Sequence, residues 1–373
     1  MKVGIITLHK VYNYGAVLQA YALKTYLQSI LPESDAVTLI NYVPPFLSSK
    51  KKLQFSKNMV SNLIEMERLL LKKQLARRAK AFDEFIERND SLSPLCLTKT
   101  EVEKLVGEYD VLISGSDQIW NFCITNSDKT YLLDFPDYKG KKFSYSSSLG
   151  NFRFYKSNED EIRKIFESFS ALSCRESDGC DYLNKLTDMP CEQVCDPTLL
   201  LNSDVYSALF EGRVRKHIIK LAEEKFLLIY NLSSGADVFE TAKAVAKARG
   251  LKTYQIIPSL RKNSCVDKLL QDISIEEFLY LYSNADFIVT NSFHGTCFSL
   301  IYNKDFYTVT PTGSSNRLET LLSQANLSDR LLIDGKTIAN SEPSRLIDYA
   351  AVNESLDRYV AVSKDYLKRS LAL

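Results

Sequence analysis

Several polar loops stand directly after short apolar runs, and they hold the groups that proton transfer and anion binding require. The first is Thr290-Asn291-Ser292-Phe293-His294-Gly295-Thr296, which follows the run Phe287–Thr290. A histidine placed there exchanges protons near neutral pH. Gly295 lets backbone approach closely, and a helix starting just beyond leaves N–H groups free for an anion. The second is Ser173-Cys174-Arg175-Glu176, where Arg175 suits a carboxylate or phosphate and an Arg–Glu surface pair is the plain alternative. The third is Gly115-Ser116-Asp117-Gln118, whose carboxylate is placed either to take a sugar hydroxyl's proton or simply to cap a helix. Asn13-Tyr14-Gly15 reads as a phosphate- or sugar-binding turn. Pro311-Thr312-Gly313-Ser314-Ser315-Asn316-Arg317 offers Ser315 and Arg317 to an anionic group, with a helix cap as the alternative. Arg261-Lys262 is a weaker site of the same kind, His9 is a lesser candidate, and His217 reads as an exposed linker residue.

The elements that must position these loops follow a β/α alternation. Val3–Leu8, Val37–Tyr42, Asp110–Ser114, Lys142–Leu149 and Ala171–Arg175 read as strands, with helices over Ala16–Ile30, Glu159–Phe169 and Gly179–Leu186. Residues 50–88 read as one long helix carrying eleven Lys or Arg against five Asp or Glu. A solvated face is the plain reading of that excess, and a surface that meets anionic lipid is the sharper one. A second series places strands at Phe226–Tyr230, Thr253–Ile257, Phe287–Thr290 and Asp305–Val309. Its helices fall at Ala236–Arg249, Ile275–Ser283, Thr296–Tyr302 and 352–373. The chain has 373 residues, too many for one ordinary core. Two doubly wound domains facing a cleft are expected: 1–205, on the acceptor side, and 206–373, on the donor side. Ligands in such sheets bind beyond the carboxyl ends of the strands, so the loops above share a side.

Bulk features narrow the classes. A net charge of +1 gives no field for nucleic acid. The opening run soon meets His9 and Lys10 and does not read as a signal peptide, and no apolar stretch reaches the roughly 18 residues of a membrane span. The eight cysteines form no CxxC pair, which argues against zinc and for free thiols in a reducing cytoplasm. Neither G-x-G-x-x-G nor a Walker A lysine motif is present.

In order along the chain stand Ile5-Ile6-Thr7 leading to Asn13-Tyr14-Gly15-Ala16-Val17-Leu18-Gln19-Ala20-Tyr21-Ala22-Leu23, then Ser114-Gly115-Ser116-Asp117-Gln118-Ile119-Trp120, Arg175-Glu176, Cys195-Asp196-Pro197-Thr198 and Thr290-Asn291-Ser292-Phe293-His294-Gly295. With these segments the chain resembles the polysaccharide pyruvyl transferase family over most of its length. The resemblance implies a GT-B-like pair of Rossmann-like domains, with the terminal helix crossing back to the first. It implies transfer of the pyruvyl group of phosphoenolpyruvate onto two hydroxyls of a sugar, giving a cyclic ketal in exopolysaccharide, capsule or cell-wall glycan synthesis. Phosphoenolpyruvate is then a co-substrate, with no separate cofactor and no metal. His294 matches the histidine of the family's His-Gly motif and Arg175 the arginine after the mid-chain strand, both expected to handle phosphoenolpyruvate. His294 is assigned as acid, Arg175 as anion clamp and Asp117 as base or sugar ligand, with Asn13, Tyr14, Gly15, Ser116, Gln118, Ser292, Gly295, Ser315 and Arg317 as the substrate-binding set. Some members carry arginine two residues before the histidine, where this chain has Ser292. Arg317, Arg261 or helix N-termini are the available replacements. A lipid-linked acceptor would bring the basic stretch to the inner face of a membrane. A nucleotide-sugar glycosyltransferase of similar fold and a non-catalytic glycan-binding protein are the rival readings.

Overall fold

A computed structural model describes residues 1–47, 59–232, 236–310, 316–333 and 346–372 (59–64 and 236 in backbone only). In the first half the order is β1 (Lys2–Ile6), α1 (Tyr14–Ile30), β2 (Ala36–Leu39), α2 (Met59–Leu70), α3 (Lys72–Asn89), α4 (Lys99–Val106), β3 (Val111–Ser114), α5 (Phe122–Thr125), β4 (Lys141–Ser144), α6 (Glu159–Glu167), β5 (Leu172–Cys174), α7 (Ser177–Leu186) and β6 (Cys191–Gln193). Of these strands β1 and β3 are short and almost wholly buried, which is why they read as apolar runs with no alternation. All pair in parallel, in the order β2-β1-β3-β4 with β5-β6 beside them, and single bridges from Phe143 to Ala171 and from Ser147 to Cys174 join the two groups.

The second half runs α8 (Ser203–Phe210), α9 (Lys216–Leu221), β7 (Phe226–Tyr230), α10 (Ala236–Arg249), β8 (Lys252–Ile256), β9 (Lys268–Leu270), α11 (Ile275–Asn284), β10 (Phe287–Thr290), α12 (Phe293–Ile301), β11 (Phe306–Thr310), α13 (Asn316–Gln324), β12 (Leu331–Ile333) and α14 (Tyr349–Leu371). Its parallel sheet has the order β12-β11-β10-β7-β8-β9, the doubly wound Rossmann arrangement. The strand order reverses between β1 and β3 in one sheet and between β7 and β10 in the other. Each reversal opens a crevice at the carboxyl ends of its strands. One apolar core runs through both halves: Tyr14 of α1 stacks on Phe278 of α11 with ring centroids 4.5 Å apart.

Three expectations shift. Residues 50–88 are not one helix: Leu71 leaves helical geometry between α2 and α3, and 50–58 lie outside the described residues. The strand expected over Lys142–Leu149 stops at Ser144, because Ser146 takes a positive φ of 55°. The helix after β10 starts at Phe293, three residues before the expected Thr296, because Ser292 caps it there by accepting the Gly295 N–H.

Several cations of the basic stretch have partners within the protein. Arg78 donates to the Tyr12 carbonyl and lies over the Phe82 ring, Arg77 pairs with Asp272, and Arg88 pairs with the buried Glu276 of α11. The pairs of Arg77 and Arg88 tie α3 to the second half of the chain.

Candidate active site

Asp196, one residue after Cys195, is fully buried at the centre of the site. Its Oδ1 accepts from the N–H and hydroxyl of Thr198, which fixes the carboxylate in place. Its Oδ2 accepts from Arg175 Nη1 at 2.9 Å and from Ser116 Oγ at 3.1 Å, and it stands 3.4 Å from His294 Nε2. Burial alone would raise the Asp196 pKa, but the neighbouring His294 and Arg175 more than offset it and hold the carboxyl well below the usual range. The imidazole has an ionised carboxylate at its Nε2, and that atom makes no hydrogen bond of good geometry in this form.

His294 sits in the first turn of α12, so its position is set by the Ser292 cap. The ring packs against the first turn of α1. A Cβ on Gly15 would fall 2.2 Å from ring atoms of His294, closer than two atoms can come, so only glycine fits there. A Cβ on Gly295 would fall 2.3 Å from Thr290 Oγ1, so this glycine holds α12 close to β10. Asn13 accepts from the N–H groups of Gly15 and Ala16 and caps α1. The Tyr14 hydroxyl donates to the Ile273 carbonyl and receives Arg78, which engages it in packing between the halves.

Arg175 is 2% exposed and surrounded by carboxylates: besides Asp196, Glu176 stands at 3.5 Å and Asp117 at 3.8 Å. Its Nε and Nη2 make no hydrogen bond. The guanidinium lies 4.3 Å from the centre of the Phe293 ring. Arg317 approaches the same ring at 6.0 Å, and among the described residues it has no ion-pair or hydrogen-bond partner. Burial, and then the charge of Arg175, lowers the Arg317 pKa from its ordinary value. Burial likewise raises Glu176 above the usual carboxylate range despite Arg175; its Oε1 accepts from Ser148 and its buried Oε2 has no hydrogen-bond partner.

Asp117 sits in the left-handed region with φ of 73°, which Asp tolerates better than most residues other than Gly and Asn. Its Oδ1 accepts from the Gln118 N–H. Gln118 itself accepts from Asn121. His294, Asp117, Arg175, Ser116, Gly15 and Arg317 thus converge. Asn13 and Ser292 act as helix caps at the edge of the group, and Ser315 lies outside the described residues. His9 is buried and bonded to Thr7 and Asn41, with its pKa lowered chiefly by burial, and His217 is exposed. Asp196, Glu176 and Phe293 stand in the segments read from the sequence without an assigned role, and the Arg175–Glu176 pair is buried, not at the surface. The sign of Asp196 was its place in the Asp196-Pro197-Thr198 segment after a strand.

Cysteine spacing suggested no ligand set, yet the fold gathers one. Among the described residues, the His, Cys, Asp and Glu side chains that converge as metal ligands do are Cys174, Cys180 and Cys191.

Two Rossmann-like sheets facing each other across a buried His–Asp–Arg cluster define a GT-B-like α/β protein. The model of the polysaccharide pyruvyl transferase family matches residues 13–312, and the chain belongs to that family. Its role is therefore pyruvyl transfer in polysaccharide synthesis. No curated protein sequence matches the chain. Among solved structures, the putative UDP-N-acetylglucosamine 2-epimerase of Listeria monocytogenes aligns with a TM-score of 0.53 and 12% identity, over 100% of this chain and 95% of that one. The UDP-GlcNAc 2-epimerase of Neisseria meningitidis aligns with a TM-score of 0.52 and 12% identity, over 99% and 94%. At such identity the likeness shows the fold alone. No described helix is long and apolar enough to cross a membrane.

Proposed function

We propose that this enzyme transfers the pyruvyl group of phosphoenolpyruvate to two hydroxyls of one sugar, with His294 as the proton donor. The observation that carries the reading is the convergence of His294 Nε2 and Arg175 Nη1 on the buried Asp196 carboxylate, at 3.4 Å and 2.9 Å, which sets an imidazole and a guanidinium side by side for an anionic donor. His294 gives that proton to the methylene carbon, and the adjacent carbon becomes cation-like. A sugar hydroxyl attacks it, with Asp117 as base. Phosphate leaves, and the second hydroxyl closes the ketal. Of the two hydroxyl protons, one restores the acid and one departs with phosphate.

Charge balance refines the anion site. Arg175 is already offset by three carboxylates, so it acts first to position Asp196, with two N–H groups left for substrate. Arg317 feels the same carboxylates only at longer range, with no ion pair among the described residues, and supplies the cation that position 292 lacks, together with the N-terminus of α12. Arg261 is 70% exposed and leans on Glu67 of α2 instead. A cavity of about 500 Å³ opens beyond β7 and β8, lined by Asn231, Phe239, Gln255, Arg261 and Lys262. Its wall is tied to the β10 loop by Leu232 N–H donating to Asn291 Oδ1 at 2.7 Å. We place an outlying part of the acceptor glycan there, with the reacting sugar itself at Asp117 in the first half of the chain.

The test is mass spectrometry of a lipid-linked or free glycan incubated with phosphoenolpyruvate in D₂O. A pyruvyl ketal carrying deuterium in its methyl group is expected, with parallel release of phosphate. His294→Ala should lower turnover by about 10²–10⁴-fold. Near-wild-type turnover by a folded His294→Ala protein, or glycan modified by nucleotide sugars instead, would sink the assignment.

A further inference from the structure

Beside the active cluster lies a group of side chains that the transfer reaction does not use. Cys174 ends β5, Cys191 begins β6, and Cys180 lies in α7, which packs over both strands. In the β5–β6 register Cys191 is opposite Leu172, two residues before Cys174, so both thiols lie on one face of the pair. The three sulfurs lie within 4.8 Å of one another, with Cys180 and Cys191 3.6 Å apart. All three are buried.

Buried cysteine is often only a small apolar residue. Their spacing points further here. A Zn–S bond of about 2.3 Å at a tetrahedral angle separates two sulfurs by roughly 3.8 Å, so the three need to shift by an ångström at most. Three thiolates supply most of the tetrahedral set that a structural zinc site uses.

We propose that Cys174, Cys180 and Cys191 bind one zinc ion. Binding replaces the three S–H protons, which pass to solvent. The ion would clamp β5, β6 and α7 together one residue from Arg175 and five from Asp196. This site stands independently of the reaction assigned above, since it requires no turnover.

The full-length chain, purified under reducing conditions, is titrated with Cd²⁺ and with Zn²⁺. The expected result is one equivalent of metal per chain, with a thiolate-to-cadmium charge-transfer band in the ultraviolet. Cys180→Ser and Cys191→Ser should each lose that equivalent, and Cys123→Ser, which changes an exposed thiol, should keep it. Should the two core variants fail to fold, alkylation of the wild-type chain decides: bound zinc must protect the peptides holding Cys174, Cys180 and Cys191. Absence of stoichiometric uptake by the reduced wild-type protein overturns the proposal. So does a band undiminished in folded Cys180→Ser, or alkylation of the three thiols unchanged by zinc.

Discussion

Asp196 uses its two oxygens for different tasks. Oδ1 is held by Thr198, and Oδ2 faces Arg175, Ser116 and His294. Asp196→Asn keeps the shape but aims an amide donor, or a neutral oxygen, at the arginine and the imidazole. Turnover should fall by about 10²–10⁴-fold, more than any change in KM. An equal loss in kcat from Ser116→Ala would show that the charge is not what matters. Gly15→Ala is a sterically sharper test, because its methyl would overlap the His294 ring. Loss of activity with α1 still helical by circular dichroism is expected. Arg317→Ala should raise the KM for phosphoenolpyruvate by ten-fold or more, a loss of about 1.4 kcal/mol, while Arg261→Ala leaves it near wild type. At this scale the sequence exposed the residues that follow uninterrupted apolar runs: His294 after Phe287–Thr290, Asp117 after Val111–Ser114. Asp196 escaped because β6 is only Cys191-Glu192-Gln193, with its last two residues half exposed, and its importance arises only when α12 comes against it.

Asp90 closes α3, with both carboxylate oxygens buried and unbonded. Burial raises its pKa to about 7, against the weaker pull of Lys24. Unfolded, it ionises near the ordinary carboxylate value of about 3.9, so between about pH 4 and 7 the folded protein holds a proton that the unfolded chain has released. Stability is therefore lost as pH rises through that window. Asp90→Asn should remove the loss and gain roughly 2–4 kcal/mol above pH 7, read from denaturant midpoints at pH 4 and pH 8. An equal difference between wild type and variant at both pH values would refute it. Asp196 has the opposite sign: its depressed pKa contributes stability at and above ordinary carboxylate values, lost only in strong acid. Element types were legible because parallel, doubly buried strands read as continuous apolar runs. Their ends were less so. Ser292 and Asn13 cap helices through their side chains, and apolar periodicity does not register a cap.

The two halves share a core, and α14 returns from the second sheet to the first. Ser363 Oγ accepts from the buried Cys195 N–H at 2.8 Å, and Tyr366 donates to the Ser144 carbonyl at 2.7 Å. The chain should therefore unfold in one transition. Fluorescence of its single tryptophan, Trp120 in the first half, and far-ultraviolet circular dichroism should report the same midpoint. Ser363→Ala should cost about 1–3 kcal/mol, because it leaves the Cys195 N–H buried and unpaired. Two separate midpoints would show that the halves fold apart. The β/α alternation and the crevice were foreseeable from sequence, whereas the meeting of Cys174, Cys180 and Cys191 depends on pairing that no local spacing encodes.

The reach of α14 also orders events in time. Cys195 and Ser363 are 168 residues apart. At a ribosome's pace of about 5–20 residues per second, roughly 10–30 s pass between their synthesis. For that interval the nascent first half presents an uncovered apolar flank and a backbone donor awaiting its acceptor. During translation this is the surface that a chaperone would find.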